Sequence, residues 1–136
     1  MTRGREAWMV LLIDAANVVG SRPNQWWRDR AGAARELAGK VRAATAASQL
    51  AGPVVLVLEG AARQGAPEGV VDGVEVVHAP GVGDDTIADL AARRPGPVTL
   101  VSADRVLGQR VRRAGGDVVG PMWLLDRLAE RGGDSI

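Results

Sequence analysis

The sequence contains no cysteine, no phenylalanine and no tyrosine. Without thiols there are no disulfides, no thiolate metal ligands and no cysteine nucleophile. Any metal must therefore be held by oxygen or by the single imidazole, His78. No apolar run approaches the roughly 20 residues needed to span a bilayer, so no membrane role is expected. The opening residues MTRGRE lead into neither a signal-like apolar stretch nor a small-residue cleavage site, which points to a cytoplasmic protein. The chain also lacks a strong charge: at +1 it generates no global field toward nucleic acid. Lys40 is the sole lysine among 17 basic residues. With Ala, Gly and Val abundant, this bias is chiefly that of a GC-rich coding sequence, and arginine content alone argues little.

The length of 136 residues fits one domain, 1–136, able to bury a single core. Residues 7–13 (AWMVLLI) form a nearly continuous apolar run, the pattern of a strand covered on both faces. Similar runs recur at 54–58, 98–101 and, more weakly, 74–77 and 118–119. From residue 25 to about 50, Trp27, Ala31, Ala34, Leu37, Ala38 and Val41 keep a three-to-four spacing, which predicts a long helix with Asn24 as its cap and Trp27 on its core face. Shorter helices are predicted over 84–92, 104–114 and 121–131, the last with Pro121 in its first turn and Trp123, Leu124 and Leu125 in the core. Gly115 and Gly116 serve as a helix stop. Residues 60–73 read as a surface loop and 131–136 as a loose tail. Strands alternating with helices predict an α/β fold, a three-layer α/β/α sandwich around a mostly parallel sheet.

In such a sheet, ligands gather where the strands end. Asp14 ends the first strand, Glu59 follows VVLVL, Asp104 follows TLVSA, and Asp84 and Asp85 open a helix after APGVG. Any one of these could be a turn or cap residue. Together they deliver carboxylates to one edge, where mutual repulsion calls for a cation. Oxygen donors without cysteine select Mg²⁺ or Mn²⁺, ions that activate water and stabilise charge on a phosphate under attack.

The order DAANVVG, GVGDDTIADLA and LVSADRVLGQRVRRAGGDVVGPMWLL resembles the NYN branch of PIN-like nuclease domains over nearly the whole chain. That family has a first-strand D-x-x-N, a central Asp opening a helix and a T/S-x-D-R after a later strand. The resemblance implies a PIN-like fold and metal-dependent hydrolysis of RNA. It makes Asp14, Asp85 and Asp104 the metal-facing catalytic acids, with Asn17 orienting the first and Ser102 and Arg105 flanking the last. The doubled acid leaves Asp84 as the alternative to Asp85. Related domains often carry another acid just before the central Asp, where this chain has Val82 and Gly83; Glu59 or Asp89 could compensate.

Other constellations are missing. GVGDDT lacks the third glycine of a dinucleotide motif and the GK[ST] of a P-loop, and no G-x-S-x-G accompanies His78, which reads as a strand-end residue. Arg22 and Arg105 lie near the acidic edge and could hold phosphates, while Trp26 could stack on an unpaired base. The expected partner is single-stranded RNA, with room for a homodimer. The alternative is a PIN-like module that binds RNA or protein without turnover.

Overall fold

The structure is a computed structural model, and it describes residues 9–21, 26–94 and 96–133. Five strands run parallel: β1 (Val10–Asp14), β2 (Val54–Leu58), β4 (Val74–His78), β5 (Val98–Val101) and β6 (Asp117–Val119). β3 (Gly69–Val71) is antiparallel to β4, and the order across the sheet is β3-β4-β2-β1-β5-β6. Every residue of β1 and β2 is buried, as their unbroken apolar runs require of strands covered on both faces.

Side chains alternate across these strands and feed two cores. Leu11, Ile13, Leu56 and Leu58 pack with α1 (Ala15–Gly20), α2 (Arg30–Ala46) and α5 (Pro121–Gly133), through Val18, Leu37, Val41 and Leu124. Val10, Leu12, Val55 and Val57 pack on the opposite face with α3 (Gly83–Arg93) and α4 (Arg105–Arg113), through Ile87, Ala91, Leu107 and Val111. The result is the expected three-layer α/β/α sandwich. Among the described residues, no helix is long and apolar enough to cross a membrane.

Several sequence expectations require correction. The helix predicted from residue 25 begins at Arg30, where the Asp29 carboxylate accepts from the Gly32 amide at 2.8 Å, and ends at Ala46. Trp26–Arg28 instead form a short 3-10 turn, and Trp27 is 54% exposed rather than in the core. Asn24, the predicted cap, lies outside the described residues. Residues 60–73 are not a featureless loop, because Gly60–Gly65 form a 3-10 helix packed on α2 and Gly69–Val71 form β3. The signal overlooked was the Asp72-Gly73 pair: both residues have positive φ, 53° and 79°, the two-residue turn that matches strand twist in a hairpin. The predicted tail is helical as far as Gly133.

The chain steps from β1 to β2 to β4 on one side, then returns to place β5 against the other side of β1. Connections leaving β1 and β5 thus diverge, the switch point beyond whose carboxyl ends ligands gather in open α/β sheets. Asp14 is the last residue of β1, and Ser102 is the first residue after β5.

Candidate active site at the carboxyl edge of the sheet

Asp14 is buried, 5% exposed, and each of its oxygens is engaged. Oδ1 accepts from the Asn17 amide at 3.3 Å, capping α1, and Oδ2 accepts from the Ser102 hydroxyl at 3.0 Å. Ser102 Oγ in turn accepts from the Asp104 amide at 3.1 Å. Asn17 Oδ1 accepts from the Ala103 amide at 2.8 Å. Asp104 caps α4, its Oδ1 accepting from the Leu107 amide at 2.9 Å. The D-x-x-N and S-x-D-R motifs are therefore one hydrogen-bonded unit, laced across the carboxyl ends of β1 and β5.

Burial pushes the Asp14 carboxyl up from 3.8 to about 6, against the hydrogen bonds from Ser102 and Asn17, and the charges of Asp84 and Glu59 add to the rise. The Asp84 carboxyl is also raised, first by burial and then by Asp104, with Arg110 opposing and Asp85 adding to the rise. Charge from the other strand ends thus reaches these two carboxyls, and Asp84 is the member of the doubled pair that raises Asp14 and is itself raised by Asp104. Asp85 points elsewhere: its side chain is 78% exposed and takes an ion pair from Arg110 at 3.2 Å.

Glu59 belongs to the same edge. A Cβ on Gly83 would collide with Glu59 Oε1, so the glycine that opens α3 makes room for a carboxylate arriving from the end of β2. Asp89 does not join it, being exposed and paired with Arg93 at 2.6 Å. Arg105 is exposed in the first turn of α4, next to Asp104. Arg22 lies outside the described residues. Trp26 is partly buried, 3.4 Å from the position a Cβ on Gly20 would take. His78 ends β4 and is used structurally: Nε2 lies 2.7 Å from the Ala66 carbonyl, and its amide donates to Glu68 Oε2 at 2.8 Å. Sequence spacing gave no hint of Arg110, a cation that reaches back from the second turn of α4 to α3.

Among the described residues, no three carboxylate or imidazole side chains stand close enough together to enclose an ion. The donor chemistry nevertheless fits a hard divalent cation. The ligands on offer are oxygens, and the shifts at Asp14 and Asp84 arise from burial and mutual repulsion, which a cation would relieve.

Sheet order and layering are those of an α/β fold consistent with a PIN-like one. No protein-family model and no curated protein matches the chain. Among solved structures it is similar to the crystal structure of Rae1 (YacP) from Bacillus subtilis, with a TM-score of 0.69 over 89% of this chain and 75% of that one, at 18% identity. At that identity the likeness is one of fold.

Proposed function

We propose that the domain is a Mg²⁺- or Mn²⁺-dependent ribonuclease of the NYN branch, hydrolysing phosphodiester bonds in single-stranded RNA. The observation that carries this reading is the Ser102 to Asp14 hydrogen bond, which joins the first and last motifs 88 residues apart in the chain. Asp14, Asp84 and Asp104 would hold the ion, with Glu59 beside them; Asp84 takes the central role in place of Asp85. When bound, the ion supplies activation of water and neutralisation of charge on the phosphate. Ser102 holds the Asp14 carboxylate in orientation, and Asn17 ties the Ala103 backbone so that Asp104 stays in the site. Arg105 offers a guanidinium to a phosphate oxygen. Labelled single-stranded RNA incubated with Mn²⁺, with EDTA, and with the Asp14→Asn, Asp84→Asn and Asp104→Asn variants tests the proposal; full activity in the variants rejects it.

A second reading is favoured by one observation, namely that no ready-made group of three ligands exists among the described residues. In that reading the domain binds RNA or a protein partner without turnover. Calorimetric titration with Mn²⁺ separates the two, because a pure binder need take up no ion at the acidic edge.

A further inference from the structure

The Trp26–Arg28 turn stands between α1 and α2 and has no part in the chemistry described so far. Trp26 is its anchor: the indole packs against Gly20, at the far end of α1, and the Arg30 guanidinium lies over the ring at 5.4 Å. Trp27 meets it edge-on, with centroids 6.4 Å apart and planes at 86°. Yet Trp27 itself is 54% exposed, although the core lacks phenylalanine and tyrosine and an indole is its largest available filler. An aromatic ring held by a partner and left open to water is already ordered for stacking, so little entropy opposes a ligand there. Arg28 and Arg30 are exposed beside it. α1 begins at the Asp14 cap and ends at Gly20, about 9 Å along its axis, and the indole pair is carried at that far end of the helix, beyond the acidic edge.

We infer that Trp27, with Arg28 and Arg30, forms a subsite for one unpaired nucleotide of the bound strand, its base stacked on the exposed indole and its phosphate held by the guanidinium groups. The inference rests on the ribonuclease reading above for the identity of the strand. An unpaired base is required because paired bases in a helix do not offer a face to a side chain. Trp27 thus replaces Trp26 as the stacking residue, since Trp26 is partly buried against Gly20 with Arg30 over its ring.

The test measures binding of a fluorescein-labelled single-stranded oligoribonucleotide and of a loop-free, fully paired duplex, in EDTA so that cleavage cannot intervene. Trp27→Ala is expected to weaken single-strand binding roughly 5- to 150-fold, with Trp27→Phe restoring most of it and duplex binding unmoved. Wild-type affinity in Trp27→Ala overturns the inference, whatever else the exposed indole touches. Cleavage in Mn²⁺, run in parallel, keeps the two proposals apart. Trp27-dependent binding by a chain that never cleaves RNA upholds the subsite and rejects the nuclease reading; cleavage with unchanged KM in Trp27→Ala does the reverse. Because Trp27 is exposed, thermal melting of the variants should match wild type.

Discussion

The Ser102 hydroxyl donates to Asp14 Oδ2 at 3.0 Å, with the two side chains 2% and 5% exposed. Hydrogen bonds to a buried charge contribute about 1.5–3 kcal/mol each. Ser102→Ala is therefore expected to lower stability by roughly that amount at pH 7–8 in urea denaturation, and to cut any RNA cleavage roughly 10- to 100-fold by freeing the carboxylate to turn. Equal stability of the variant and wild type would show that the bond is not made.

Asp14 also sets a pH dependence. Its carboxyl titrates at about 6 in the folded chain against 3.8 as a free group. An acid whose folded value is raised holds its proton more tightly when folded, so its contribution is most favourable below about pH 4 and is lost as pH climbs toward 6. The difference is worth roughly 3 kcal/mol at most. Asp14→Asn should accordingly be more stable than wild type at pH 7.5, by about 1–3 kcal/mol, while the two converge at pH 4. Denaturation at both pH values checks this.

Mn²⁺ should reverse the penalty. An ion that binds only the folded state stabilises by about 2.7 kcal/mol at a hundredfold excess over its Kd. Calorimetric melting is expected to rise with Mn²⁺ and fall back with EDTA in wild type, and to stay flat in Asp14→Asn and Asp84→Asn. A flat response in wild type would favour the binding-module reading.

The adjacent acids make a matched pair of controls. Asp84→Asn is expected to lose on the order of 100-fold or more in RNA cleavage. Asp85→Asn gives up only an exposed ion pair with Arg110, worth about 1 kcal/mol or less, and should cleave nearly as wild type. The opposite ranking would return the central role to Asp85.

Gly65 touches α2 so closely that an added Cβ would meet the Ala31 carbonyl, the Ala34 Cβ at 2.8 Å and the Arg35 amide at 2.9 Å. Backbone cannot yield as a side-chain tip can. Gly65→Ala should destabilise the fold by roughly 1–3 kcal/mol, read as a lower urea midpoint at an unchanged slope.

Much of the architecture was legible in the apolar runs of β1, β2 and β5, because strands buried on both faces admit a polar residue only where it finds a partner, as Thr99 does by donating to Met9 Sδ at 3.1 Å. The carboxylates at their ends were legible for the same reason, since a charge that halts such a run must lie at a rim. The β3–β4 hairpin is signalled only by Asp72-Gly73, because β3 is three residues long and exposed and so carries no apolar alternation. Helical periodicity puts Trp27 in the core only if it continues through residues 26–28, and these form a 3-10 turn with a different angular step per residue.

The amino-acid order by itself determined which strands would be central and which acids would cap their ends, because burial and helix capping are local demands on residue type. Which of Asp84 and Asp85 faces Asp14, that Glu59 lies against Gly83, and that Arg110 reaches α3 were decided only by the tertiary structure. Those choices depend on how α3 is rotated against the sheet, and that rotation is set by packing Ile87 and Ala91 into a core whose other wall comes from distant segments of the chain.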